Sequence, residues 1–239
     1  MNTIKHGSKE AHPTRATGAF YGRRHGRPVR AQAADAVERW APRLMLDLQK
    51  PAPENLKELF DQPVRHIRLE IGFGGGEHIL AEARRETDVG FIGVEPFING
   101  MSKLLQAVNA EPIGNLRLYN DDATQLLDWL PAGSISEIDL LYPDPWPKKK
   151  HWKRRFVSQV NLERFARVMQ NGGAFRFASD IEHYVNWTLL HTQAHSAFDW
   201  IAKDADSWRR PYDGWTSTRY EQKALREGRT PAYLTFQRR

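Results

Sequence analysis

Five short apolar runs alternate with segments of helical character along most of the chain, and that alternation restricts the fold more than any other feature. The runs are IRLEIG (67–72), GFIGVE (90–95), NLRLYN (115–120), EIDLLYP (137–143) and AFRFASD (174–180). Helix-like segments lie near 77–86, 97–110, 124–130, 156–170 and 181–197. A strand, a helix and a further strand in succession imply a crossover, so the strands run parallel and helices cover both faces of the sheet. FDWIA (198–202) and AYLTFQ (232–237) read as closing strands, an antiparallel pair at one edge. The expectation is an α/β fold with a mostly parallel seven-stranded sheet.

A length of 239 residues suits one such domain with an appended arm. Residues 1–60 are expected to form a basic N-terminal arm and a helical lead-in, the latter interrupted by Pro42, Pro51 and Pro53. Residues 61–239 are expected to form the α/β domain itself. Residues 31–60 receive no functional role. The chain has no cysteine, so disulfides and thiolate chemistry are excluded, and a cytoplasmic setting is expected. No apolar run approaches 18 residues, and no apolar stretch follows the charged N-terminus, so neither a membrane span nor a secretory signal is expected.

The net charge of +6 is unevenly placed. Residues 1–30 hold seven Lys or Arg against one Glu, and KKKHWKRR (148–155) holds six with no acid, leaving the rest of the chain net acidic. Two basic patches on an acidic body point to a polyanionic partner. A disordered tail and a solvated loop are the plainer alternative.

In an open α/β sheet, ligands bind beyond the carboxyl ends of the strands. The first strand runs into Glu70, Ile71, Gly72, Phe73, Gly74, Gly75, Gly76. The spacing G-x-G-x-G departs from the dinucleotide fingerprint G-x-G-x-x-G. Glu70 lies in an apolar strand and needs a partner, either the ammonium of a methionine-like ligand or a nearby Arg. The second strand ends in Glu95, placed to accept ribose hydroxyls, which NAD and S-adenosylmethionine share. After the third strand, Asp121 or Asp122 can accept an adenine amine, with helix capping as the competing role, weighed more heavily for Asp121. The fourth strand ends in PDPWP (143–147), where prolines fix the directions of Asp144 and Trp146. His151, His183, His191 and His195 form no metal pattern, and no metal is expected.

At these residues the chain resembles the bacterial tRNA (guanine-N7)-methyltransferase family. The resemblance is carried by LEIGFGGGEHIL (69–80), FIGVEP (91–96), NDDATQLL (120–127), YPDPWPKKKHWKRR (142–155), FASD (177–180) and TSTRYEQKALREGRTPAYLTF (216–236), and less specifically by GRRHGR (22–27). It implies a Rossmann-like fold, S-adenosylmethionine as methyl donor and tRNA as partner. No obligatory protein partner is implied, and the chain is expected as a monomer or a homodimer.

By that resemblance Glu70, Gly72, Gly74, Glu95, Asp122 and Asp144 line the cofactor site, with Asp144 catalytic. Lys148, Asp180, Thr218, Arg219, Tyr220 and Glu221 contact substrate. Lys149, Lys150, Lys153, Arg154, Arg155, Arg23, Arg24 and Arg27 are expected to meet tRNA phosphates. Lys150 stands where the family commonly has arginine, which keeps the charge and loses the bidentate fork. Thr218 and Glu221 also have capping-box spacing, the competing structural role for that pair. Three other readings were weighed: an NAD-dependent oxidoreductase, which leaves PDPW unexplained; an RNA-binding protein with a vestigial pocket; and a methyltransferase for another RNA or another base atom.

Overall fold

The computed structural model describes residues 21, 22, 24, 26 and 31–239. Seven strands form one sheet: β1 (His66–Ile71), β2 (Val89–Val94), β3 (Leu116–Tyr119), β4 (Ile135–Leu141), β5 (Met169–Ser179), β6 (Phe198–Trp200) and β7 (Ala232–Arg238). Their spatial order is β3-β2-β1-β4-β5-β7-β6. The first five are parallel, and β7 inserts antiparallel between β5 and β6. The helices are α1 (Ala31–Leu44), α2 (Glu77–Arg85), α3 (Ile98–Ala110), α4 (Ala123–Trp129), α5 (Gln159–Val168), α6 (Glu182–Gln193) and α7 (Arg219–Arg226).

Apolar side chains build a core on each side of the sheet. Leu69, Ile71, Ile138 and Leu140 pack with α4 and α5 through Leu126, Leu127, Leu162 and Phe165. Across the sheet, Phe73, Ile79, Leu104 and Leu105 join Trp40 and Leu44 of α1. Helix α1 lies along α3, with the Trp40 indole donating to Asn109 at 3.0 Å. Leu56 and Phe60 are buried in the main core, so packing runs without a gap through residue 60.

Strands β1 and β4 carry charge as well as apolar residues. Arg68, 3% exposed, sits between Glu82 at 2.8 Å and Asp139 at 3.1 Å, with Glu86 at 3.0 Å and Glu137 at 3.1 Å. The period of two along a strand sends Arg68 and Glu70 to the face opposite Leu69 and Ile71. The strand order reverses between β1 and β4, the crevice where ligands bind in open α/β sheets.

Candidate active site

A cavity of about 660 Å³ opens at that reversal. Its floor and walls include Ile71, Gly72 and Gly74 after β1, Glu95 after β2, Asp122 after β3, and Asp144 and Trp146 after β4. Gly72 has φ +75°, and a Cβ built there meets nothing within 4 Å, which leaves the floor open toward a ligand. Gly100 fixes the turn from the other side. A Cβ there would stand 2.1 Å from the Gly74 carbonyl oxygen, so the start of α3 can touch the turn only as glycine.

Glu95 is buried, and its two carboxylate oxygens accept the backbone N–H of Gly74 (2.7 Å) and of Phe97 (2.9 Å). Burial raises its pKa against those two hydrogen bonds. Each oxygen keeps a further lone pair for a ligand hydroxyl. Asp122 also lines the cavity, and it is the N-cap of α4: its Oδ1 accepts from Thr124 N and from Thr124 Oγ1, both at 2.9 Å. The capping role weighed more heavily for Asp121 therefore falls to Asp122, while Asp121 accepts Arg24 at 2.6 Å and the Asp122 amide.

Asp144 opens onto the cavity from a backbone held in an unusual shape. Tyr142 and Trp146, two residues to either side, have φ of 51° and 43°. Such conformations cost non-glycine residues on the order of 1–3 kcal/mol each and persist where the surroundings enforce them. Desolvation by the cavity walls pushes the Asp144 carboxyl above its ordinary value.

Glu70 lies off the cavity wall. It is buried beneath the glycine turn, where its carboxylate pairs with His78 Nδ1 at 2.8 Å. His78 Nε2 meets the Tyr212 hydroxyl at 2.7 Å, and that hydroxyl also contacts Glu82 at 3.2 Å. Its protein partner is His78, not the Arg expected as the alternative to a ligand.

The carboxyl-terminal run divides in two. Arg219 and Tyr220 line the cavity and rest on the glycine turn, 3.4 and 3.3 Å from a Cβ built on Gly74. Thr218 and Glu221 are buried away from it. The Thr218 hydroxyl caps α7 by accepting Glu221 N at 3.1 Å, and the Glu221 carboxylate accepts Trp215 Nε1 at 2.8 Å and the Tyr233 hydroxyl. Substrate contact is thereby open to Arg219 and Tyr220, while Thr218 and Glu221 hold the run in place. Asp180 is half-buried outside the cavity and pairs with Arg229.

The basic run also divides. Lys148, Lys149 and Lys150 are exposed, and Lys153 and Arg154 line the cavity. Arg155, expected at a phosphate, is instead 3% exposed. It donates to the Pro145 carbonyl (3.0 Å) and to His183 Nδ1 (2.6 Å), and lies about 5 Å from the ring centres of Trp152, Tyr184 and Trp187. Apolar rings close around the guanidinium, so the residue meets the cavity as part of its wall and not as a free surface cation. Of the arm arginines, Arg24 is exposed and ion-paired, and Arg23 and Arg27 lie outside the described residues.

Residues 64–234 match a family model described as a putative methyltransferase. Curated relatives match almost end to end. The tRNA (guanine-N(7)-)-methyltransferase of Chelativorans sp. strain BNC1 is 66% identical over 96% of this chain and 99% of its own length. The enzyme of that name from Mesorhizobium japonicum is 62% identical over 97% of this chain and 100% of its own. The chain belongs to the tRNA (guanine-N7)-methyltransferase family.

Among solved structures, the 16S rRNA methyltransferase KamB superposes with a TM-score of 0.53 at 14% identity, covering 79% of this chain and 95% of its own. TrmN from Thermus thermophilus gives 0.51 at 13% identity, covering 76% and 46%. At such identities the likeness speaks for the fold alone, the Rossmann-like methyltransferase sheet with its antiparallel edge. Within the family's strand-four block, the difference between half-buried Arg154 and fully buried Arg155, both on the cavity wall, is absent from the sequence pattern, because adjacent arginines read alike until the surrounding rings are placed.

Proposed function

We propose that this chain transfers a methyl group from S-adenosylmethionine to the 7-nitrogen of a guanosine in tRNA, in the variable loop. The observation that carries the reading is Asp144, held between two positive-φ residues in the same cavity as Glu95 and Asp122. The residues suit the cofactor: an open glycine floor at Gly72, a buried carboxylate at Glu95 with lone pairs to spare, and apolar walls from Val94, Ala123 and Leu140. When bound, the cofactor supplies the methyl on a positively charged sulfur.

Glu95 anchors the turn and accepts the ribose hydroxyls. Asp122 closes the adenine end. Asp144 accepts the 1-NH and 2-amino hydrogens of guanine, the two donors on that edge of the base, and so turns the opposite edge toward the methyl. The guanine 7-nitrogen forms the new bond with its own lone pair. The carbon–sulfur bond breaks with its electron pair passing to sulfur, and the positive charge passes to the purine ring. No proton leaves, so no general base is required, and orientation carries most of the catalysis, worth roughly 7–11 kcal/mol in well-ordered systems. Exposed Lys148, Lys149 and Lys150 flank the cavity where the phosphates of a flipped nucleotide pass.

The test is chemical. The charged ring of 7-methylguanosine is open to borohydride reduction, after which aniline cuts the chain. Treated tRNA should be cut at one guanosine in the variable loop. An uncut tRNA that carries the methyl label contradicts the choice of atom, and a cut elsewhere contradicts the choice of loop. Glu95→Ala should weaken the rise in melting temperature on adding S-adenosylmethionine.

A further inference from the structure

One face of the cavity is built from the arm. Tyr21 stands edge-on to Trp146, with ring centres 6.5 Å apart and planes at 83°. The Arg154 guanidinium fills the corner between them, 5.3 Å from the Tyr21 ring centre and 4.9 Å from that of Trp146. Its Nε is buried with no hydrogen-bond partner, and the two rings are the contacts that flank the cation. The arm is seated by backbone as well as side chain: Ile98 N donates to the Arg24 carbonyl (3.0 Å), and Gly26 N donates to Asn99 Oδ1 (2.8 Å).

Two perpendicular electron-rich rings form a corner suited to a planar or methylated cation. The reaction proposed above turns a neutral purine into a flat cation a few atoms from Asp144. We infer that Tyr21 is a substrate-contacting residue that, with Trp146, stabilises the guanine ring as it becomes charged, and that Arg154 marks the place the base takes. Arg154 leaves that corner for a phosphate as the base takes its place, since the ring becomes a cation there on methyl transfer and would repel the guanidinium. The inference rests on the proposed 7-nitrogen chemistry and adds a residue to it. Tyr21 is 45% exposed, so its replacement leaves the core untouched.

The experiment compares the full-length wild type with Tyr21→Leu and Tyr21→Phe, using unmodified tRNA. Inhibition by 7-methylguanosine 5′-monophosphate is measured against inhibition by GMP. Tyr21→Leu should lower kcat/KM about tenfold, with much of the loss in kcat, because a cation–ring contact strengthens as charge develops. Tyr21→Phe should recover most of that loss. The wild type should prefer the methylated nucleotide, and Tyr21→Leu should lose most of the preference. The melting rise with S-adenosylmethionine should survive both changes. Equal inhibition by the two nucleotides in the wild type, or equal loss in Leu and Phe, overturns the role of the ring. Wild type that makes 7-methylguanosine beside a Tyr21→Leu enzyme of full kcat/KM sinks the Tyr21 assignment alone. Wild type that makes none sinks the functional reading and this inference with it.

Discussion

Replacing Arg155 by alanine tests whether a cation expected at a phosphate serves the fold instead. Arg155 is 3% exposed and makes hydrogen bonds to Pro145 O at 3.0 Å, His183 Nδ1 at 2.6 Å and His183 O at 3.3 Å. Hydrogen bonds from a charged donor are worth roughly 1.5–3 kcal/mol, and truncation also strips the contact surface of Trp152, Tyr184 and Trp187. A total loss of about 3 kcal/mol is expected. For a domain of this size each kcal/mol moves the midpoint by roughly 2–4 °C, so melting should fall by about 6–12 °C. The companion variant removes exposed Lys149 and Lys150 together. It should melt with the wild type, while the slope of log affinity for tRNA against log salt becomes shallower by about 1 to 2. Calorimetry and a salt titration of tRNA binding read both. An Arg155→Ala protein that melts normally but shows the shallower slope would refute the buried assignment.

Two further substitutions probe the site and its support. Gly100→Ala places a methyl 2.1 Å from the Gly74 carbonyl oxygen, so the turn must move by about 1 Å. It should abolish the melting rise with S-adenosylmethionine, whereas Gly133→Ala, strained by its φ of +62° but clear of the cavity, should lower the melting point of the free protein and keep the rise; retention in both removes the constraint assigned to Gly100. Burial pushes the Asp139 carboxyl up, but Arg68 and Arg176 outweigh it and hold the group below its ordinary value of 3.8. A depressed carboxyl stabilises the fold above its unfolded pKa and loses that contribution as pH falls through the folded one. Arg68 and Arg176 keep Glu82, Glu86 and Glu137, so Asp139→Asn should cost roughly 1.5–3 kcal/mol at pH 7, the scale of a charged hydrogen bond, with the deficit shrinking below about pH 4. A deficit that is constant with pH would mean the charge is not the source.

The sheet was legible in the sequence because short runs rich in Ile, Leu, Val and Phe recur between helical segments, a spacing that implies parallel crossovers despite the charges within β1 and β4. The carboxylates after β2, β3 and β4 were legible for the opposite reason: Glu95, Asp122 and Asp144 are charges at the ends of apolar runs. What escaped depends on which face a residue takes. Arg68 and Asp139 lie in apolar strands and read as isolated anomalies, yet the pairing of β1 with β4 sets Arg68 opposite Glu137 and Glu70 opposite Asp139. Arg154 and Arg155 are neighbours of one type, and only the rings around each leave one half-buried and bury the other in the cavity wall. Gly100 carries no local signal, since its partner, the Gly74 carbonyl, is 26 positions away. Thr218 and Glu221 gave the capping spacing but not its outcome: Glu221 turns to Trp215 and Tyr233 instead of back to the start of α7.

The most direct measurement is transfer of labelled methyl from S-adenosylmethionine to unmodified tRNA, followed by digestion and separation of the nucleosides. With the wild type, the label should appear in 7-methylguanosine. With Asp144→Asn it should appear there far more slowly, because an amide donor then faces the donors of the guanine edge. Label on the guanine 2-amino group, or on another base, would contradict the role given to Asp144 and the reading built on it.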